Sequence, residues 1–251
     1  MGTIPLEDAF YSAKRSYERG QYHIQDFDTR LAEFFNTEPW LAVTEIDTDR
    51  KQFHKFRWTK KPPEALESIA TDAAYNFRAA LDQCGYTAAV LFGKNDATHA
   101  HFPFGNNGRE GVTIPRKSRG RDLPPEILAV FRSFKPYPGG NHALNTLNEL
   151  CNTNKHSFLV TAEFRDEWAA LSDVEGIDPY WDRGKQQIIF SSTDGNTRHH
   201  VSVAHQIVFQ GIPNLEGRPV VRNLDLMRDV VLQVISETQE TCFRCGKLIR
   251  R

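Results

Sequence analysis

Residues 64–92 read EALESIATDAAYNFRAALDQCGYTAAVLF, and apolar side chains recur along them at the helical period of about 3.6 residues. The apolar stripe comprises Leu66, Ile69, Ala73, Phe77, Leu81, Cys84 and Leu91. Two prolines at 62 and 63 mark the start of the segment. The pattern predicts an amphipathic helix with a well-defined core face.

The other predicted elements, together with this helix, indicate an α+β protein. Apolar periodicity predicts further long helices over 5–37, 142–160 and 224–241, and a short helix over 125–134. Gly20 marks a point at which the first helix could bend or break. The last helix is expected to bury Leu226, Val230, Val234 and Ile235.

Two segments predict β structure. Residues 41–58 alternate around a polar turn, as in a β-hairpin, and 168–210 hold β-branched strands that suggest a small antiparallel sheet. We therefore predict one domain over 1–251, in which a bundle of about four long helices has the hairpin and sheet packed beside it.

Composition narrows the classes of protein. The 251 residues are 39% hydrophobic and 25% charged, with a net charge of −1, so a polyanion would need a local basic patch. Apolar stretches fall short of the roughly 20 residues that a membrane helix requires, and residues 1–6 lack the layout of a signal peptide. We expect a cytoplasmic protein without a membrane partner.

Four cysteines are too few and too scattered for a disulfide framework. Cys84 and Cys151 fall on predicted buried helix faces and are expected to be reduced core residues. Cys242 and Cys245 have the spacing of half a zinc site, but the chain has no second cysteine pair. We favour an incidental pair, and predict neither a metal nor a cofactor.

A polar face flanks the apolar stripe of the helix over 64–92, the second along the chain. Arg78 and Asp82 are four residues apart, so they lie one turn apart on one face. Asn76 and Gln83 lie beside them. The simplest interpretation is an exposed surface ion pair, which would contribute little to stability.

The predicted third helix carries an unusual run of amides. Its asparagines are Asn141, Asn145, Asn148, Asn152 and Asn154. Asparagine is a poor helix former, so short amides at helical spacing suggest a constrained polar pocket or a bundle interior. Lys155 and His156 follow, and with Arg78 they could neutralise a phosphate and transfer a proton. The alternative is that His156 is a buried histidine bonded to an asparagine.

Residues 93–124, before the short helix, are predicted to form a long loop, and this loop offers two further candidate groups. A basic run could follow a nucleic-acid backbone, and consists of Arg116, Lys117, Arg119 and Arg121. The alternative is a solvated loop. His99 and His101 precede Phe102-Pro-Phe-Gly and could approach the polar face from this loop.

Two motifs carry a resemblance to known proteins. Residues 72–83, DAAYNFRAALDQ, and 149–156, ELCNTNKH, resemble a family of uncharacterised bacterial proteins. In that family the first motif commonly reads Asn-Leu-Arg, then two small residues, then Leu-Asp-His. The second motif reads Asn, then any two residues, then Lys-His. More distantly, the arginine followed by a histidine one turn later resembles HEPN domains, many of which are metal-independent ribonucleases of toxin or antiphage defence systems.

The resemblance implies roles for particular residues. Arg78 would polarise the scissile phosphate, and a histidine would act as general acid or base on the ribose 2′-hydroxyl. It also implies a homodimer. The chain departs from the pattern at Gln83, where the histidine should stand. Either His156 supplies the imidazole, or the chain is a binding relative that has lost catalysis.

Two hypotheses follow. In the first, the protein acts on RNA or a nucleotide with Arg78, His156 and Lys155 as catalytic residues. The residues that orient them would be Asn76, Asp82, Gln83, Asn152 and Asn154. In the second, the protein is a non-catalytic helical module that binds a partner or small ligand, and the Arg, Asp and Asn network fixes helix register.

Overall fold

The computed structural model describes residues 4–5, 9–46, 52–105, 120–153, 159–170, 180–182, 187–192, 202–212 and 214–249. In this part of the chain the helices are α1 (Tyr11–Asn36), α2 (Ala65–Leu91), α3 (Pro125–Ser133), α4 (His142–Thr153) and α5 (Val220–Arg244). The strands are β1 (Ile4–Pro5), β2 (Trp40–Ile46), β3 (Gln52–Trp58), β4 (Leu159–Ala170), β5 (Tyr180–Asp182), β6 (Gln187–Ser192), β7 (Ser202–Gln210) and β8 (Leu248–Ile249). The α+β class is confirmed, whereas the likeness to HEPN domains stays a prediction.

α1 begins at Tyr11 rather than at residue 5, which lies in β1, and α5 spans Val220–Arg244 rather than 224–241. The helices otherwise follow the apolar periodicity, with three further differences. α1 runs through Gly20 without a break, because the glycine leaves room for the Phe77 ring: a Cβ there would lie 2.5 Å from the Phe77 Cε1 atom. The prediction of a helix up to residue 160 was wrong, since α4 ends at Thr153 and residues 159 and 160 are in a strand. Leu226, predicted to be buried, is 45% exposed, because the buried stripe of α5 follows Leu224, Met227 and Val231 instead.

The strands form three separate sheets among the described residues. β2 and β3 are antiparallel, as predicted for a hairpin, and β6 and β5 continue that sheet in the order β2-β3-β6-β5. β4 pairs with β7, and β1 pairs in parallel with β8. The segments of 168–210 therefore do not form one sheet as predicted, because β6 pairs with the hairpin.

The chain divides into two compact units. The first comprises Met1–Phe27, Ser68–Phe158 and Val221–Arg251, and the second comprises Asp28–Glu67 and Leu159–Val220. Both boundaries in the first half of the chain fall within helices, so α1 and α2 each contribute to both units. The prediction of a single domain over 1–251 stays a prediction.

The first unit is helical and is built around α2. Phe77 packs against Tyr17 of α1, with ring centroids 5.9 Å apart, and the buried Cys84 thiol lies beside Thr238 of α5. Of the predicted α2 stripe, all residues are buried except Leu91, which is half-buried. Burial of such a stripe is the main source of stability for a helix of this kind. On the two sides of this stripe, polar side chains of α2 contact α1 and α4.

The second unit contains an aromatic cluster at the end of α1. The Trp58 ring lies 6.2 Å from that of Phe34 and 5.8 Å from that of Trp40, and Phe35 contacts both tryptophans. Aromatic pairs at these distances add about 0.5–1.5 kcal/mol beyond the burial of their area. The cluster joins α1 to the β2–β3 hairpin. No helix in the described ranges has an apolar stretch that could cross a membrane.

Candidate functional site

The predicted ion pair on α2 exists, but it is not on the open surface. The Arg78 Nε and Asp82 Oδ2 atoms are 3.7 Å apart, and the two side chains are 15% and 25% exposed. A charge pair with so little solvent interacts more strongly than a surface pair, although withdrawing it from water is costly unless further hydrogen bonds compensate. Its surroundings supply such bonds.

α4 supplies an amide to the arginine. The Asn148 Oδ1 atom accepts a 2.6 Å hydrogen bond from Arg78 Nη1 and a 3.1 Å hydrogen bond from Asn152 Nδ2. Asn141 does a different job, since its side chain accepts the Leu144 N–H and caps the start of α4. The asparagine stripe is thus divided between a helix cap and a contact to Arg78.

A loop brings an imidazole and an aromatic ring to the same place. The Asp82 Oδ1 atom accepts the Phe102 backbone N–H at 3.0 Å, and the His101 Nδ1 atom lies 3.5 Å from Asp82 Oδ2. The Arg78 guanidinium lies 3.9 Å from the centroid of the Phe104 ring. Asp82 therefore holds the loop, the histidine and the arginine together.

We call this group the Arg78 cluster. It comprises Arg78, Asp82, His101, Phe104, Asn148 and Asn152. The His101 side chain is 39% exposed, against 15% for Arg78 and 25% for Asp82, so it is the ionisable member most open to a ligand. Its approach to the polar face agrees with the sequence-based suggestion. The backbone N–H of His99 donates to Asp122 Oδ2, which is not a member of the Arg78 cluster.

Two residues predicted to support Arg78 lie on the other flank of α2. The Asn76 Nδ2 atom donates to the Asp72 carbonyl at 2.7 Å. The Gln83 Oε1 atom accepts hydrogen bonds of 3.0 Å from the hydroxyl groups of Ser12 and Ser16. The glutamine that stands where the resemblance expects a histidine thus joins α2 to α1. The structure brings Asp82 to Arg78 and links Asn152 to it through Asn148, but it does not bring Asn76 or Gln83 to Arg78.

Several predicted site residues lie outside the described part of the chain. They are Asn154, Lys155 and His156 after α4, and Arg116, Lys117 and Arg119 in the long loop. Their placement near Arg78, or on a nucleic acid, stays a prediction. The remaining member of the basic run, Arg121, is exposed just before α3.

A polar groove lies along the α1 flank of α2. Its volume is about 520 Å³. Its lining residues are Tyr11, Ser12, Arg15, Ser16, Arg19, His23, Asp72 and Asn76. We call it the α1–α2 groove. The apolar period of α1 does not predict this groove, but the sequence holds one sign of it, since Arg15, Arg19 and His23 follow one another at intervals of one turn.

The cysteines near these sites are neutral thiols. Burial raises the pKa of Cys151 to about 12, although the Arg78 guanidinium acts to lower it. A thiol in this state is a poor nucleophile. Burial likewise raises the pKa of Cys242 to about 12, whereas Cys245 is exposed. Within the described residues, no group of three or more His, Cys, Asp or Glu side chains is arranged to hold a metal ion.

The chain was also compared with known proteins. It matches no protein-family model, no curated protein and no solved structure.

Proposed function

We propose that the Arg78 cluster is the active site of a metal-independent ribonuclease that cleaves single-stranded RNA. The observation that supports this most directly is the shared carboxylate: Asp82 Oδ2 lies 3.7 Å from the Arg78 Nε atom and 3.5 Å from the His101 Nδ1 atom. A phosphate-binding cation and a proton-transferring ring are thus fixed beside each other. This pairing is what ribose-assisted phosphodiester cleavage requires.

His101 takes the part that the resemblance gives to a histidine at position 83. Its Nδ1 atom faces the Asp82 carboxylate, which leaves Nε2 as the atom that takes a proton from the ribose 2′-hydroxyl. The 2′-oxygen then forms a bond to phosphorus, and the P–O5′ bond breaks. Water donates a proton to the departing 5′-oxygen, the His101 imidazolium returns its proton to the resulting hydroxide, and the product is a 2′,3′-cyclic phosphate.

Arg78 acts on the phosphate in this proposal. Its guanidinium is held by Asn148 and by the Phe104 ring, so it does not need to be ordered when substrate arrives. An arginine that is fixed in advance stabilises the charge that develops on the phosphoryl oxygens. Lys155 and His156 are expected to contribute from beyond α4, and a homodimer is expected from the resemblance.

The test is cleavage of labelled single-stranded RNA by the purified chain in excess chelator. We expect wild type to cleave, and His101→Ala and Arg78→Lys to lose activity by about 100-fold or more, as is usual for general acid–base and electrostatic groups. His142→Ala, which changes an exposed histidine at the start of α4, is the matched control and should keep full activity. Full activity in His101→Ala with loss in His156→Ala would transfer the role of base to His156.

A second candidate function rests on the low exposure of Arg78. At 15% exposure, with a 2.6 Å hydrogen bond and a ring contact, this arginine has the contacts of a residue that fixes two helices and a loop in register. The protein would then be a non-catalytic module that binds a partner or ligand. Absence of RNA cleavage by wild type, together with a large loss of stability in Arg78→Ala, would favour it.

A further inference from the structure

We infer that the α1–α2 groove binds a nucleoside monophosphate, with the phosphate against Arg15 and Arg19 and the base on the Tyr11 ring. This site is separate from the Arg78 cluster, since it lies on the opposite flank of α2 and shares no residue with it. The inference stands whether or not the cluster cleaves RNA.

The charge of the groove selects an anion. In the described part of the chain, neither Arg15 nor Arg19 has a carboxylate within 4.0 Å, whereas Arg78 and Arg228 each have at least one. The one carboxylate in the lining belongs to Asp72, so two guanidinium groups outweigh it. Guanidinium groups bind phosphate oxygens through paired N–H donors.

The aromatic residue of the groove selects the other part of the ligand. Tyr11 is 60% exposed, which leaves ring surface open to a ligand. Its hydroxyl oxygen accepts a 3.1 Å hydrogen bond from Arg15 Nη1, so the ring is anchored at one end of the groove. A base that stacks on such a ring gains about fivefold or more in affinity.

The spacing along α1 fits a ligand with an aromatic and an anionic end. The Arg15 guanidinium carbon lies 6.0 Å from the centroid of the Tyr11 ring, and Arg19 follows Arg15 by one further turn, or about 6 Å along the helix axis. The sugar of a mononucleotide bridges a distance of this order. The groove volume of about 520 Å³ also falls in the range of roughly 300–1,000 Å³ that is usual for small-molecule sites.

The other wall can contact the sugar. Asp72 and Asn76 line the α2 side of the groove with a carboxylate and an amide, and the Asn76 side chain donates to the Asp72 carbonyl. Ser12 and Ser16 donate their protons to Gln83, so their oxygens face the groove as acceptors rather than donors. Oxygen acceptors on both walls of the groove suit the hydroxyl groups of a sugar.

Isothermal titration of the full-length chain with AMP, adenosine and inorganic phosphate tests the inference. We expect saturable binding of AMP to wild type, and binding of the other two compounds that is weaker by about tenfold or more, because each lacks one end of the ligand. An Arg15→Gln, Arg19→Gln double variant should bind AMP at least about tenfold more weakly. A Tyr11→Leu variant should lose about fivefold or more.

Matched controls make each outcome decisive. Lys94→Gln with Arg222→Gln removes two exposed positive charges outside the groove and should leave AMP binding unchanged. His101→Ala should also leave it unchanged, so failure of the ribonuclease proposal does not affect this one. Absence of AMP binding to wild type, equal binding to the double variant, or phosphate binding as tight as AMP binding would overturn the inference.

Discussion

Arg78 is held by three kinds of contact, and each makes its replacement costly. Its hydrogen bond to Asn148, its approach to Asp82 and its stacking on Phe104 are lost together on truncation to alanine. Asp82 would then keep a poorly solvated charge without its cation. We expect Arg78→Ala to lower the free energy of unfolding by about 2–4 kcal/mol, as measured by urea denaturation.

A double-mutant cycle separates the hydrogen bond from the rest. The loss in free energy of unfolding in the Asn148→Ala, Arg78→Ala double variant should be smaller than the sum of the losses in the two single variants, by about 1–2 kcal/mol. Additive losses would show that Arg78 and Asn148 are not coupled, and would argue against both proposals for the cluster. Arg222→Gln serves as the surface control and should change stability by less than about 0.5 kcal/mol.

The four thiols should differ sharply in reactivity. Cys245 is exposed, while burial raises the pKa of Cys84, Cys151 and Cys242 to about 12. Only a thiolate attacks a disulfide reagent rapidly. We expect native protein to show one fast-reacting thiol with Ellman's reagent at pH 8, and a Cys245→Ser variant to show none.

Burial of these thiols makes the free energy of unfolding depend on pH in the alkaline range. In the unfolded chain these thiols lose their protons near the ordinary pKa of 9.0, but in the folded chain they do so only near 12. The unfolded state therefore binds fewer protons in this window, so the free energy of unfolding falls as pH rises from about 9 toward 12. Urea midpoints at pH 8 and 10 should show this fall, and Cys84→Ala should reduce it.

At the scale of elements, the close approach of α1 and α2 depends on Gly20. A methyl group there would overlap Phe77, whose ring would lie 2.5 Å away. Alanine usually stabilises a helix by about 1 kcal/mol over glycine, but here the clash should prevail and Gly20→Ala should destabilise the protein by about 1–3 kcal/mol. Thermal melts of Gly20→Ala, Phe77→Leu and the double variant provide the measurement.

The double variant decides between two explanations of the Gly20→Ala result. If the clash with Phe77 is the cause, the smaller leucine should recover part of the loss, so that the double variant is more stable than the sum of the two changes. If the loss is the same with leucine present, the glycine acts through the backbone of α1 instead.

The helices were predictable because their apolar stripes repeat many times, as in α2 and α1. Strand partnership was less predictable, because β6 carries the same alternation whether it pairs with β3 or with β7. The site was predictable to a similar degree. Helical spacing places Arg78 beside Asp82, but no spacing rule brings His101 to them, since that contact depends on the path of a loop.

At the scale of the whole chain, the tryptophans are unevenly distributed. Trp40, Trp58, Trp168 and Trp181 all belong to the second unit, whereas most of the described helix belongs to the first. Tryptophan fluorescence therefore follows one unit, and circular dichroism at 222 nm mainly follows the other. The two signals give a direct comparison of the two unfolding reactions.

We expect the two signals to change together. α1 and α2 run from one unit into the other without interruption, and helix formation is cooperative along its length. Urea denaturation should therefore give the same midpoint by fluorescence and by circular dichroism, and Gly20→Ala should shift both equally. A fluorescence midpoint that Gly20→Ala leaves in place would show that the units unfold independently.

The hydrogen bond from the Phe102 amide to Asp82 has a consequence for spectroscopy. This amide is in a loop, outside any helix or strand, yet it donates to a half-buried carboxylate at 3.0 Å. Its exchange with deuterated solvent requires that bond to open, so its exchange rate measures how often the loop leaves α2. A single backbone proton can thus report, in the intact protein, whether the histidine of the cluster is in place.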